Sequence, residues 1–360
     1  MKTPAVLLLF FASLFITGFL SCSPDIGLFY SVTMEEESSA GALPPTISPG
    51  DLVENASGEM LLVSGGLYLY TADAWKSDVV SPAAVDPQLP ADSLARSAAY
   101  AYGTFFVCFV DNESGYPAGL YSSADPFAET SAWTKTTGVT NPERLLAENG
   151  VLFVVSRDIT NATWSIYSYD GSVFTEELPD LDVNAGVWDM AWDGTDYWIL
   201  WGESLYRGTL GGVKTVVDCS SIDGANIDYT GLFFHDPTGT IYLAANSLSK
   251  GSVWSWNGTG WTSVGSELEK LNDFAFFTVN GTPVILVGSV EGYYEFDGVS
   301  TFTLPEITCV YATYKTLELS DSVIREFMVS GDTFYALTSN AGLWKNSVPV
   351  GGSTRSWIQQ

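Results

Sequence analysis

Basic side chains are scarce. The 360 residues hold 14 Lys plus Arg against 42 Asp plus Glu, a formal net charge of −28. Charged residues amount to only 16%, below the roughly 25% of an average domain. The imbalance therefore reflects missing cations more than surplus acids, and phosphate-rich partners such as nucleic acid or an anionic lipid surface meet a field of the wrong sign. His235 is the only histidine. One imidazole cannot build a multi-histidine metal centre, and beside the Asp236-Pro237-Thr238-Gly239 turn it reads as a solvated turn residue. Of four cysteines, Cys108, Cys219 and Cys309 lie far apart with no C-x-x-C, which excludes a zinc knuckle or a disulfide framework. Cys108, inside FFVCFV, reads as a small buried apolar residue. No G-x-S-x-G, H-E-x-x-H, phosphate loop or D-x-D-x-D-G array occurs. The expectation is no catalytic group, no metal and no cofactor. Helical periodicity over ten or more residues is also missing after residue 22, which favours an all-β chain.

What is present begins with an apolar run, Ala5 to Leu20, too short for a comfortable membrane span but suited to a signal-peptide core. It ends in Phe19-Leu20-Ser21-Cys22. This resembles the bacterial lipoprotein signal, in the relaxed spirochaete-type form, with Phe19 where that family usually has Leu. The resemblance implies cleavage before Cys22, a fatty-acyl (palmitate-type) anchor on it, and a place in the cell envelope on a bacterial membrane. Residues 1–21 are then signal peptide. Residues 22–50, rich in small, acidic and Pro residues, read as a tether, with an edge strand at 27–33 and the folded domain over 51–360.

From Asp51 onward one phrase recurs: a small residue, an apolar residue, then Tyr or Trp. The aromatic members are Tyr68, Tyr121, Tyr167, Tyr206, Trp254, Tyr294 and Trp344. Their mean spacing of about 46 residues is that of a propeller blade. Two β-rich runs joined by a tight turn precede each copy, at Tyr102-Gly103, Asn149-Gly150 and Ser330-Gly331 among others. Several copies continue into a second hairpin, at Asp170-Gly171, Asn257-Gly258 and Asp297-Gly298. Asn257-Gly258, flanked by Trp254, Trp256 and Trp261, reads as a two-residue turn with positive φ at both positions. Asn55, Asn112, Asn161, Asn257 and Asn280 open N-x-S/T sequons and read as turn residues rather than glycan sites.

The whole of 51–360 resembles a seven-bladed β-propeller of four-stranded antiparallel blades, without the strict signature of any subfamily. Residues 122–133, SSADPFAETSAW, resemble the Asp-box of sialidase-like propellers but lack its glycine and are not repeated in other blades, so the match reads as chance. In such a fold the A–B and C–D turns share one face. The long B–C connectors and D–A crossovers share the other, where recognition is expected.

Three of the six arginines, Arg96, Arg144 and Arg325, fall six or seven residues before the first turn glycine of their blades. That places them at the start of the innermost strand, ringing the channel mouth, where guanidinium groups can grip a carboxylate or phosphate. Pairing with Asp92, Glu143 or Asp321 is the structural alternative. Asp111, Arg157 and Asp158 join them as candidate binding residues on the long-loop face. Asp158, Asp182, Asp189, Asp223 and Asp228 could also converge there. The expected function is a monomeric, lipid-anchored module that binds a protein, peptide or glycan. The alternatives are a glycan-processing enzyme with paired carboxyls and a structural envelope protein with a flat loop face.

Overall fold

A strand whose two faces both meet neighbouring sheets needs no alternation, and the second strand of each repeat is written that way. Thr104–Val110 (TFFVCFV), Tyr197–Trp201 (YWILW) and Thr240–Asn246 (TIYLAAN) are buried along nearly their whole length, and Cys108 is fully buried. The computed structural model describes Leu43 and residues 47–360 apart from 72–73, 77–79, 91, 115–116, 129–132, 183–187, 223–226, 280–281, 312–317 and 348–353. Cys22, the segment 27–33, Asp223 and the Asn280-Gly281 turn lie outside the described residues.

The chain is an all-β propeller of seven blades. Six blades are four consecutive antiparallel strands in simple order, and the seventh carries a fifth strand. The described helix is one four-residue turn, Pro82–Val85, and a short 3-10 turn, Leu319–Asp321. Every recurring aromatic sits in the third strand of its blade. The apolar residue before it is the anchor: Leu67, Leu120, Ile166, Leu205, Val253, Tyr293 and Leu343 are each at most 1% exposed. Successive side chains point to opposite faces of a strand, so each phrase fills the gaps on both sides of its blade.

Turn chemistry splits in two. Tyr102-Gly103 and Asn149-Gly150 have positive φ at both residues, as a two-residue hairpin turn requires. Asn257-Gly258 does not. Trp256 pairs with Trp261, so four residues make the turn, and only Gly258 has positive φ. The reason is the Asn257 side chain: its Oδ1 accepts the N–H groups of Thr259 (3.0 Å) and Gly260 (2.9 Å), an Asx turn. Asp170 and Asp297 use the same device, and Asn55 caps its own turn through Ser57 and Glu59.

Seven apolar clusters fill the seven junctions between successive blades. Among the described residues, no strand is exchanged to close the circle. The last junction joins Leu52, Met60 and Leu62 of blade 1 to Tyr335, Leu337 and Leu343 of blade 7. Leu43 and Ile47 are buried in that cluster, so packing begins before Asp51, inside the stretch read as tether. Arg325 Nη1 donates to Pro49 O at 3.1 Å, and Ser330 Oγ to Glu54 Oε1 at 2.6 Å, across the same seam. The fifth strand of blade 7 is Glu306–Val310, from the preceding crossover. It pairs in parallel with the outer strand Thr354–Gln359.

Between blades 3 and 4 lies a buried ion pair. Lys214 Nζ is 2.5 Å from Glu177 Oε2, and the two side chains are 1% and 0% exposed. Ser168 Oγ donates to Glu177 Oε1, the Gly211 N–H reaches both carboxylate oxygens, and Lys214 also donates to Thr209 O and Gly212 O. A buried pair this fully bonded is harmful to break by halves, since the surviving charge is left without a partner. Lys214→Ala is expected to lower unfolding free energy by about 3–5 kcal/mol, read from urea denaturation. A loss below about 1 kcal/mol would place the pair in the surface class.

Candidate functional site: the mouth of the central channel

Six of the seven inner strands share one irregularity, and the described part of the blade 4 strand, Trp188–Trp192, is regular. In blade 2 (Leu94–Ala101), Ala95 pairs with Phe109 and Ser97 with Cys108, leaving Arg96 as an extra residue. The same two-against-one register makes Glu143 the extra residue of blade 3, Thr230 of blade 5, Asn272 of blade 6 and Arg325 of blade 7. In blade 1, Gly50 and Asp51 both bond to Val63. A bulge bends the strand and re-aims the next side chain. The residues that follow, together with Asp189 of the regular blade 4 strand, form a ring with one member per blade: Asp51, Ser97, Arg144, Asp189, Gly231, Asp273 and Glu326.

The ring has a structural task. An inner strand has a free edge, and its N–H groups need acceptors. Asp51 Oδ2 accepts Ala98 N–H of blade 2 at 2.8 Å and Ser97 Oγ–H at 2.6 Å. Ser97 Oγ accepts Leu145 N–H of blade 3 at 2.9 Å. Asp189 Oδ2 accepts Leu232 N–H of blade 5 at 2.6 Å, and Asp273 Oδ2 accepts Phe327 N–H of blade 7 at 2.7 Å. Gly231 offers no side chain, and a Cβ there would lie 3.3 Å from Asn272 O and Phe274 Cδ2. Its blade is tied to the next by Asn246, whose amide bonds Leu271 O and Leu271 N–H.

The ring encloses a cavity of about 1010 Å³, lined by Arg96, Arg144 and Arg325 together with Asp51, Glu148, Asp189, Asp273 and Glu326. The three arginines picked from the sequence thus meet in one chamber. Arg96 Nη1 pairs with Glu143 Oε1 at 3.2 Å, one of the acids named as a structural partner. Asp92 instead accepts Glu113 N–H. The other three arginines work elsewhere. Arg207 bridges Asp193 and Asp196 under Trp198, Arg355 grips both oxygens of Glu295, and Arg157 lies 5.2 Å over Trp164. Trp164 Nε1 donates to Glu143 Oε2 at 2.9 Å, so Arg157 buttresses the Arg96–Glu143 pair from behind.

Arg157, Asp111 and Asp158 do not line the channel. Asp158 closes its own loop by accepting Thr160 and Asn161 N–H. Asp111 does the same with Glu113 and Ser114, beside a separate 280 Å³ cavity. These N–H donors hold both carboxyls below the usual range. Of the aspartates expected to converge, Asp189 lines the chamber and Asp158, Asp182 and Asp228 do not. His235 is not a solvated turn residue. It is 6% exposed among Phe233, Tyr242 and Phe276, its Nδ1 is 2.9 Å from Thr238 Oγ1, and burial lowers its proton affinity.

Sequence reasoning missed Asp51, Glu148, Asp273 and Glu326. Protein encloses these carboxyls and disfavours their ionised form. Burial pushes Asp189 up to about 6 against the Leu232 and Met190 N–H bonds. Glu148 rises to about 7 and Asp273 to about 8, the latter raised further by Asp189. Asp51 is raised by burial, opposed by Ser97, Ala98, Arg325 and Arg144. Glu326 is pushed well up by burial, then by Asp51 and Asp273.

No family model matches the sequence, and no curated protein does. Solved structures share the fold. The extracellular domain of a proposed one-component system of B. thetaiotaomicron superposes with a TM-score of 0.57 at 9% identity, over 84% of this chain and 38% of that one. The GH74 enzyme of Niastella koreensis gives 0.58 at 12%, over 89% and 55%. YCF48 bound to the D1 peptide gives 0.56 at 13%, over 86% and 100%. The chain therefore spans well under two thirds of the first two proteins. Identities this low establish the architecture alone.

The raised carboxyls fix a sign for pH dependence. Unfolded, Asp and Glu titrate near pH 4. Between about pH 4 and 8 the folded protein holds more protons than the unfolded one, so stability falls as pH rises through that window. Asp297, held at about 2 by N–H bonds against the effect of burial, works the opposite way only below pH 4. The midpoint of thermal unfolding is expected to be higher at pH 5.5 than at pH 8.5. Asp273→Asn should raise the pH 8.5 midpoint and flatten the dependence. A midpoint that climbs from pH 5.5 to 8.5 would show these carboxyls to be ordinarily acidic.

Proposed function

We propose that this protein is a non-catalytic binding module of the bacterial cell envelope, held to a membrane through a lipid on Cys22, that takes its ligand at the channel mouth on the long-loop face. The observation that carries the reading is the convergence of half of the chain's six arginines on one 1010 Å³ chamber. A chain this poor in cations has few to spare, and guanidinium groups at a concave mouth suit an anionic group. The chamber also speaks against a purely structural envelope role, which calls for a flat loop face. The fold neighbours agree in kind: one is an extracellular domain and another was solved with a bound peptide.

The glycan-processing alternative draws on the carboxyls held near neutrality, since an acid that keeps its proton near pH 7 is what general acid catalysis requires. It differs from the binding reading by turnover of substrate.

Two measurements test the proposal. Cys22→Ser is expected to move the protein from the membrane fraction to the soluble fraction and to abolish incorporation of labelled palmitate; an unchanged distribution removes the anchor. Residues 41–360 form one compact unit. Screened against peptide and glycan arrays, that unit should bind acidic ligands without consuming them. Arg96→Ala with Arg325→Ala should weaken each hit at least tenfold. Hits that survive the double substitution put the site elsewhere, and glycan cleavage establishes the enzyme.

A further inference from the structure

The 280 Å³ cavity away from the channel is walled by separate segments of the chain. Asp86 and Leu89 come from the crossover between blades 1 and 2, and Asp111 from the connector between the second and third strands of blade 2. Tyr121 and Lys135 come from that blade's third and fourth strands, Pro117–Ser123 and Thr134–Thr136. These two residues are directly opposite in the ladder, so their side chains leave the same face. Gly119, two residues before Tyr121 on that face, makes the room. A Cβ there would stand 2.9 Å from Tyr121 Cε2 and 3.5 Å from Lys135 Cε. The walls are fastened to one another. Tyr121, 2% exposed, donates its O–H to Asp86 Oδ2 at 2.9 Å, and Glu113 N–H donates to Asp92 Oδ2 at 3.2 Å across the two loops. A cavity tied in this way is formed before a ligand arrives.

Its polar groups are of both kinds. The N–H groups of Gln88 and Ser114 hold the Asp86 and Asp111 carboxyls below the usual range, so both are acceptors only. The Lys135 ammonium, a donor only, lies 5.9 Å over the Tyr121 ring and has no ion-pair partner among the described residues. A ligand that serves all three must donate to the acids and accept from the lysine, and a hydroxyl does both. Two carboxylates against one ammonium repel an anion, and a bare ammonium ligand would leave Lys135 without an acceptor. Leu89, Pro117 and Ala118 supply apolar wall. We infer that this cavity is a second binding site and takes one neutral sugar ring, its hydroxyls bridging Asp86, Asp111 and Lys135 and its C–H face resting on Leu89, Pro117 and Ala118. The volume lies just under the roughly 300–1,000 Å³ of sites for drug-sized ligands, the scale of a single ring. The site is independent of the channel mouth and opposite in preference: an acidic ligand suits the mouth and is refused here.

The test is calorimetry of the protein with glucose, galactose, mannose and N-acetylglucosamine, each as the free sugar and as its methyl glycosides. At least one is expected to bind with a Kd on the order of 1 mM. Glucuronate, galacturonate and mannuronate should bind at least tenfold more weakly than that hit. Lys135→Met and Asp111→Asn should each weaken the hit at least tenfold. Asn keeps an Oδ1 to accept the Glu113 and Ser114 N–H groups, so the loop stays closed, and circular dichroism with the unfolding midpoint checks that both variants are folded. Arg96→Ala with Arg325→Ala should leave the hit unchanged, which separates this site from the mouth. Binding of a methyl glycoside assigns the end of a glycan as the source, and binding of the free sugar alone assigns a monosaccharide. No binding by any of the neutral sugars at concentrations on the order of 50 mM would overturn the proposal. So would a uronate that binds as tightly as its parent sugar, or a hit that both variants leave intact.

Discussion

A radial array of sheets leaves seven strand edges facing a central channel, and the N–H groups on those edges must find acceptors. This protein meets the requirement from the neighbouring blade. Asp51, Ser97, Asp189 and Asp273 each reach across a junction and accept an N–H from the next inner strand. In every blade but the fourth, an irregularity precedes the ring position and re-aims its side chain, and the apolar clusters hold the blades at the distance such a bond needs. The same bulge turns Arg96 and Arg325 out toward the mouth. Blade-to-blade locking and the chemistry of the chamber therefore share one backbone feature.

That sharing explains the electrostatic character of the channel. Acceptors for N–H groups are most strongly supplied by carboxylates, so the ring is acidic before any ligand is considered. Enclosure then works against ionisation, and the carboxyls that hold the edges, Asp51, Asp189 and Asp273, are all raised in proton affinity. Arg144 and Arg325 relieve Asp51. For Asp189 and Asp273 that relief comes from backbone N–H groups alone among the described residues.

Much of this was legible in the sequence. The recurring phrase with Tyr68 to Trp344 marks the third strand of every blade because both faces of a blade are buried and the phrase supplies one large side chain to each. The arginines of the mouth were legible from their distance to the turn glycines. The ring was not recognised, although aligned repeats carry its signal: Asp51-Leu52, Ser97-Ala98, Arg144-Leu145, Asp189-Met190, Gly231-Leu232, Asp273-Phe274 and Glu326-Phe327 each put a polar residue or glycine before an apolar one. What hides it is chemical variety, since Asp, Ser and Arg do not resemble one another until their common place in the ladder is known. His235 misled for a related reason. Its turn is exposed, but its ring folds back among Phe233, Tyr242 and Phe276, and no local pattern announces that direction. Asn257-Gly258 misled because an Asx side chain substituted for the backbone geometry that the dipeptide usually signals.

Residue-resolved hydrogen exchange tests the central claim most directly. Ala98, Leu145, Leu232 and Phe327 carry N–H groups on strand edges beside a channel wide enough for water. Bonded across the junctions to Asp51, Ser97, Asp189 and Asp273, they are predicted to exchange as slowly as amides in the middle of the sheets, with protection close to that of global unfolding. Exchange of these four amides at the rate of open loops, while mid-sheet amides remain protected, would contradict the account.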